Sequence, residues 1–409
     1  MEKEAAASRM SRGMFIVMLG ALSAFGPLTI DMYLPAFPAM AEHLQTPAST
    51  IQLSLTACLL GLAVGQMVVG PLSDIHGRRK PLIIALTVYA VASLLCAFAP
   101  SIWLLVLLRF VQGAAGAAGM VISRACVRDR YSGSEMTKIF SLLVLIMGVA
   151  PIFAPVLGGF LLQYVSWRGI FVALSVLGAV MLLLITWRLP ETLGEESRST
   201  GGIGETLAVF KRLLKDRLFM SYALIVGLAS GGMFAYISGS PFVLQDLFRV
   251  SPQMYSIIFG VNALGLIIAS QVTGRFADRV PEIRFLFIGL LLLVSGGVIL
   301  SVVVFMEAGL LALLVALFLT VSSIGFINPS GVSLAMKSQG SHAGSASALL
   351  GLVQFSIGGA MAPLVGIAGA TALPMGLIIL LCSAAALFVY QFGLRKTIAA
   401  KTLQTKKVM

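Results

Sequence analysis

Ile51 to Pro71 reads IQLSLTACLLGLAVGQMVVGP, a run with no formal charge; Leu72 to Lys80 then reads LSDIHGRRK, and from Leu82 to Ala99 the chain is apolar again, LIIALTVYAVASLLCAFA. About 20 apolar residues, as a helix, cross the hydrocarbon core of a bilayer. Lipid offers no partner for backbone N–H and C=O groups, so such runs must be helical. Outward from this pair of runs the same alternation fills the chain. Twelve spans are predicted, at 13–35, 51–71, 82–99, 102–123, 139–162, 169–189, 219–241, 253–273, 284–305, 309–332, 343–367 and 372–394. Composition agrees: 58% of the 409 residues are hydrophobic, 11% are charged and mean hydropathy is +1.00, outside the range of soluble domains. The expectation is an all-α polytopic membrane protein.

A net charge of +12 raises the question of nucleic acid, and the placement of the charges answers it. With the N-terminus inside, Arg168 and Arg249 are the only two of 28 Lys and Arg in outer loops, and Arg109 lies within a span. All the others fall on the cytoplasmic side, the asymmetry that orients helical membrane proteins. This reading puts the chain in a bacterial-type inner membrane, both termini cytoplasmic, with lipid and not nucleic acid as its partner. Cys58, Cys96, Cys126 and Cys382 sit within or at the edge of spans and far apart; they read as small buried apolar side chains, not a disulfide framework. The first run follows Arg9 and Arg12 but is longer than the apolar part of a signal peptide and carries Asp31, so it reads as a retained first span.

The longest polar stretch, Pro190 to Arg217, divides the spans six and six. The organisation expected is an N-terminal six-helix bundle at 13–190, a cytoplasmic linker at 191–217, a C-terminal bundle at 218–395 and a basic tail at 396–409. Within the linker, residues 195–202 read as mobile. Ile203, Leu207, Phe210 and Leu214 recur at helical spacing opposite Lys211, Arg212 and Lys215, predicting a surface-lying amphipathic helix. The halves also repeat: Gly70-Pro-Leu-Ser-Asp74 after the second span is echoed by Gly274-Arg-Phe-Ala-Asp278 after the eighth. Parallel repeats of this kind predict a central substrate cavity between the halves.

Two formal charges lie clearly inside predicted spans, Asp31 in the first and Arg109 in the fourth, and intramembrane charges are functional candidates by default. Counted from the outer ends of their spans, Asp31 and Arg109 reach nearly the same depth, which predicts an ion pair or a shared water-filled cavity. A buried acid whose partner changes as a cavity opens is suited to carry a proton.

Gly70-Pro-Leu-Ser-Asp74-Ile-His-Gly77-Arg78-Arg79-Lys80 closely resembles the G-x-L-(A/S)-D-x-x-G-R-(R/K) signature of the major facilitator superfamily. Gly70 would allow close helix approach, Gly77 a tight turn, and Asp74 an acid beside Arg78 and Arg79. Thr29-Ile-Asp31-Met-Tyr33-Leu-Pro35-Ala-Phe-Pro38 resembles the D-M-Y-L-P-A-x-P signature of the bicyclomycin-resistance (Bcr/CflA) exporters, and Arg109-Phe-Val-Gln112-Gly113 the R-x-x-Q-G motif of superfamily antiporters. In the fifth span, Pro151, Pro155, Gly158 and Gly159 resemble the antiporter motif, with Ala154 where that motif usually has glycine. They predict a kinked helix with a smooth face for packing against a span of the other half.

The resemblance implies the superfamily's fold, two six-helix bundles with twelve transmembrane helices. It also implies a gate braced by the Gly70–Lys80 loop, and proton coupling at Asp31 and Arg109. A monomer, no enzymatic activity, no cofactor and no metal are implied with it. Gly113, Gly116 and Gly119 lie inside an apolar span and serve helix packing, not nucleotide binding. His43, His76 and His342 fall in predicted loops and far apart, so no metal site is proposed. Met32, Tyr33, Gln112, Met233, Phe234, Tyr236, Asn262, Asn328 and Gln354 could supply the aromatic, thioether and amide surface of a polyspecific cavity. The function expected is export of small drug-like compounds, of the chloramphenicol, bicyclomycin or sulfonamide type, in exchange for protons by alternating access. Export of a native sugar, amino acid or siderophore by the same fold, or uncoupled facilitation, would leave the same sequence features.

Overall fold

The structure, a computed structural model, describes residues 11–198, 203–337, 339, 343–367 and 371–394. The basic tail, His342 and the 199–202 part of the expected mobile stretch lie outside the described residues. Among the described residues there are helices and no strands, and 12 crossings are long and apolar enough to span a membrane.

The first crossing is broken into α1 (Arg12–Ser23), α2 (Phe25–Asp31), a 3₁₀ turn at Leu34–Ala36, and α3 (Phe37–His43). Proline decides where: Pro35 has no N–H to return to the carbonyl of Asp31, and Pro27 has none for Ser23. The crossing therefore continues past the predicted end at 35, and His43 ends a helix instead of lying in a loop. Five crossings follow: α4 (Ala48–His76), α5 (Arg79–Ala97), α6 (Ile102–Arg130), α7 (Gly133–Leu161) and α8 (Trp167–Arg188). Backbone hydrogen bonding does not stop where apolar residues do, so α4 takes in His76 and α6 runs past the predicted 123 to Arg130. That extension puts Asp129 on a helix.

The short helix α9 (Ile203–Lys215) precedes α10 (Arg217–Phe242), which Asp216 caps by accepting from the N–H groups of Leu218 and Phe219. On α9 Phe210 and Leu213 turn inward, and Lys211, Arg212 and Lys215 are exposed. Leu214, expected on the apolar face, is exposed: the protein surface meets α9 on the side of Phe210 and Leu213. The last crossings are α10, extended by a π turn at Val243–Leu247, then α11 (Pro252–Arg275), α12 (Glu282–Phe305), α13 (Leu310–Met336), α14 (Ala343–Met361) and α15 (Leu373–Phe388), which a π turn at Val389–Leu394 extends.

The chain forms two compact units. One comprises Met1–Thr46, Leu53–Gly204 and Pro252–Ser256, the other Pro47–Gln52, Glu205–Ser251 and Ile257–Met409. In the first, α5 packs on α6 and α8, while α1 and α2 pack on α6 and α7. The core there is apolar, with Phe15, Leu19, Leu22, Phe25, Leu82, Leu86, Tyr89, Ile122 and Ile185 buried together. In the second unit α12 packs on α13 and α15, and α10 on α13, α14 and α15. All four cysteines are free and buried.

Candidate functional site

Arg109 projects from α6 into the first unit and is wholly buried, 0% exposed. A guanidinium removed from water must be paired or stacked; here both terminal nitrogens are bonded and aromatic rings stack against the plane, while Nε is buried without a hydrogen-bond partner among the described residues. Nη1 donates to Gln112 Oε1 at 2.6 Å, one turn along the same helix, and Nη2 to the Thr29 carbonyl of α2 at 2.9 Å. The Tyr33 ring lies under the guanidinium carbon, 4.1 Å from centroid to carbon, with Phe171 at 5.7 Å; a desolvated cation–π contact contributes about 2 kcal/mol. The partners are held in turn. Gln112 Nε2 donates to Ser93 Oγ at 2.7 Å, Tyr33 and Ser54 share a hydroxyl bond at 3.2 Å, and Thr29 and Tyr89 share one at 2.8 Å. Sequence reading named Arg109, Gln112 and Tyr33; it missed Ser54, Tyr89, Ser93 and Phe171, whose single small or aromatic side chains on distant helices carry no local signal.

The expected ion pair is absent. Among the described residues Asp31 and Arg109 form no salt bridge: depth in a bilayer fixes height along a helix axis but not the side toward which a residue points. Asp31 is the last residue of α2, 4% exposed, and its Oδ1 is buried with no hydrogen-bond partner. The backbone around it is locally opened by Pro35, and Gly158 of α7 sits directly against the Met32 carbonyl. A Cβ at Gly158 would collide with that backbone oxygen, so glycine here is what lets α7 close on the break beside Asp31.

At the other end of this unit Arg78 is also buried, 2% exposed. Nε donates to Asp129 Oδ2 at 2.8 Å, Nη2 to Asp129 Oδ1 at 3.3 Å, and Nη1 to Asp74 Oδ1 at 2.5 Å and Ser73 Oγ at 2.8 Å. Burial works against the charged guanidinium, but its hydrogen bonds to Asp129 and Asp74 and their negative charges outweigh it and hold Arg78 above its ordinary value. The backbone of the same turn is capped from afar: Glu191 Oε1 accepts from Arg78 N at 2.7 Å and Oε2 from Arg79 N at 3.1 Å, while Thr192 N and Leu193 N also donate to Oε1. This carboxylate satisfies orphan amides at the N-terminus of α5. Gly77 makes it possible, since its φ of 83° is open to glycine and its missing Cβ leaves room for Glu191. Arg79 is tied down by a guanidinium bond to the Thr186 carbonyl. Gly70 does not act as expected: a Cβ there would meet only Val121, at an ordinary 3.9 Å, and no close approach depends on it.

Gly113 faces the Cys58 carbonyl and brings α6 against α4. Pro151 and Pro155 lie inside α7. The Pro155 carbonyl accepts from Ser256 Oγ at 2.8 Å and the Gly159 carbonyl from Gln253 Nε2 at 3.1 Å, so this stretch packs on the first turn of α11, which belongs to the same unit.

The residues named as substrate contacts separate into two sets. In the first unit Met32, Tyr33 and Gln112 are buried; Tyr33 and Gln112 contact Arg109. In the second unit Asn262 Nδ2 donates to Tyr236 Oη at 3.0 Å, with Phe259 stacked on Tyr236 at 5.5 Å, and Gln354 Nε2 donates to Asn328 Oδ1 at 3.2 Å. Phe234 packs on Phe355 and over Gly358. Asn328 and Gln354 are half-buried, while Phe234, Tyr236 and Asn262 are buried.

Residues 16–363 match the family model described as Major Facilitator Superfamily. Among curated proteins the chain is 46% identical to an uncharacterized MFS-type transporter, YdgK of Bacillus subtilis, over 93% of this chain and 94% of that one. It is 30% identical to the bicyclomycin resistance protein homolog of Haemophilus influenzae, covering 86% and 88%, and 32% identical to a chloramphenicol resistance protein of Pseudomonas aeruginosa, covering 72% and 69%. Among solved structures the nucleoside transporter NupG superposes with a TM-score of 0.73 at 16% identity, over 92% of this chain and 99% of that one, and the Escherichia coli xylose transporter XylE with 0.70 at 14%, over 92% and 98%. At such identities these two structures show the fold alone.

Proposed function

The chain belongs to the Major Facilitator Superfamily, and from that premise we propose that it exports small drug-like molecules in exchange for protons, with Asp31 as the proton carrier. It is a multi-pass membrane transporter and not an enzyme, and its relatives include drug-resistance proteins of the Bcr/CflA type. The export direction, the proton and the chloramphenicol, bicyclomycin or sulfonamide class of cargo are the proposal. The chain would sit in the inner membrane with both termini cytoplasmic, as its basic loops favour.

The observation that carries the reading is the carboxyl of Asp31, buried at a break in the first crossing with one oxygen unpartnered. An ionised carboxylate in such surroundings is expensive and a neutral carboxyl is not. Gain and loss of a proton must therefore be matched by rearrangement about Met32–Ala36, the segment on which α7 closes through Gly158. Arg109 supplies the alternative partner. Its Nη2 already bonds the Thr29 carbonyl, two residues before Asp31, and a shift toward Asp31 would give a second arrangement favoured by the ionised acid. Two arrangements selected by protonation are what a coupled exchanger requires. In the second unit the half-buried pair Asn328–Gln354 offers uncharged donors and acceptors, suited to mostly apolar cargo.

Accumulation of labelled chloramphenicol and of a sulfonamide in cells with and without the protein tests this. Lower accumulation with the protein, abolished by a protonophore, is expected. Equal accumulation of every compound in a broad panel would overturn the drug reading, and export insensitive to the protonophore would overturn the coupling.

A further inference from the structure

The sequence repeat places the second unit's counterpart of the Gly70–Lys80 loop at Gly274–Asp278. Asp278 is exposed and, among the described residues, takes part in no ion pair. The working contact lies a few residues on. Glu282, the first residue of α12, pairs with Lys337 at the C-terminal end of α13, Oε2 to Nζ at 2.6 Å, and its Oε1 accepts from Ser333 Oγ of α13 at 2.9 Å. In the first unit Arg78, at the N-cap position of α5, binds Asp129 in the last turn of α6. Helices α5 and α6 are the third and fourth crossings and α12 and α13 the ninth and tenth, so the two contacts occupy equivalent places with their charges exchanged.

Helix electrostatics explains the exchange. Acid at a helix N-terminus and base at a C-terminus are each favoured by the helix dipole, and the opposite arrangement is not. Glu282 and Lys337 obey that preference. Arg78 and Asp129 violate it, and the first unit brings in a further carboxylate, Glu191, to cap the amides that begin α5. The second unit's pair stands without such a helper because its polarity is already favourable.

What the pair holds follows from Pro329. Without an N–H there, the Gly325 carbonyl loses its helical partner, and Thr273 Oγ1 of α11 donates to it instead, at 3.3 Å. The turns after the proline depend on outside anchors. Ser333 and Lys337 fasten them to Glu282, and Gln339 just beyond donates to Asp216, the cap of α10, at 3.4 Å. Asn328, bonded to Gln354, immediately precedes Pro329. We propose that Glu282 and Lys337 are positioning residues: by clamping the post-proline end of α13 to α12 they set the orientation of Asn328 in the cargo-binding surface. The role in cargo binding rests on the transport reading above; the clamp itself does not.

The experiment separates the two. Asn328→Cys is introduced with Glu282→Gln, with Lys337→Met, and with the exchanged pair Glu282→Lys/Lys337→Glu, and the rate of labelling by a membrane-permeant maleimide is measured against the same chain lacking the new cysteine. Each single change should raise labelling of position 328 by about threefold or more, the order expected from losing a partly exposed ion pair, and the exchanged pair, which restores the attraction with the less favourable helix polarity, should bring it back part of the way. Unchanged labelling in both single variants, or no recovery on exchange, overturns the clamp whether or not any cargo is known. In the same backgrounds with Asn328 restored, drug export should show a raised KM at a maximal rate close to wild type, again recovered in part by the exchange. Export in which only the maximal rate falls overturns the positioning role, and absence of export by wild type refutes the transport reading while the labelling result still decides the clamp.

Discussion

Asparagine at position 129 and asparagine at position 74 remove the same charge from the same arginine and should not have the same effect. The Asp129 side chain is 9% exposed and accepts two bonds from Arg78 and a third from Thr192 Oγ1 at 3.2 Å; the Asp74 side chain is 43% exposed and accepts one. Taking away the buried partner of a buried guanidinium costs about 3–5 kcal/mol, because the remaining charge is left uncompensated. Asp74 and Ser73 still hold Nη1, so Asp129→Asn should fall toward the lower end, about 3 kcal/mol. Asp74→Asn breaks a pair half open to water, worth about 0–1 kcal/mol. Thermal unfolding of the purified protein in detergent, with each variant scanned at one rate beside wild type, reads the difference. Asp129→Asn should lower the midpoint by several degrees and Asp74→Asn by at most about a third of that. Equal shifts, or a larger one for Asp74→Asn, would refute the inference that burial of Asp129 makes it the principal partner of Arg78.

Gly158→Ala should sharply reduce export at normal membrane abundance, since its Cβ meets the Met32 carbonyl and not a yielding side chain; an alanine variant with wild-type drug export would sink that reading. Tyr33→Phe keeps the ring under Arg109 and loses the hydroxyl's contacts with Ser54 and Arg109, so its unfolding midpoint should fall less than that of Tyr33→Leu, which also removes the stacking and should lose about 2 kcal/mol more. Gly77→Ala meets both a φ of 83° and the Glu191 carboxylate, and should destabilise by about 1–2 kcal/mol. The same scan beside Glu191→Gln checks it, and the two changes should be non-additive because they share the turn.

Helical crossings were legible because apolar length is a local property, and runs such as Ile51–Pro71 state it outright. Their ends were less so: α6 continues to Arg130 on backbone hydrogen bonds that hydropathy does not register, and the broken first crossing depends on which carbonyls Pro27 and Pro35 leave unpaired. Asp31 and Arg109 stood out as charges among apolar neighbours. Their pairing did not follow, because the acceptors that satisfy Arg109 are a backbone carbonyl at Thr29 and side chains on other helices, brought together only by packing. Glu191 was invisible for the same reason, lying more than a hundred residues from the amides it caps. The Gly274–Asp278 echo shows the reverse failure, a preserved spacing whose acid stands in solvent while unremarked Glu282 makes the contact.

The central claim, that Asp31 carries the proton, is tested most directly by proton movement in liposomes reconstituted with wild-type protein or with Asp31→Asn, challenged with an exported drug. Drug-dependent proton flux in wild type, absent in Asp31→Asn although that variant still binds the drug, is the predicted result. Equal flux from both proteins would contradict the account.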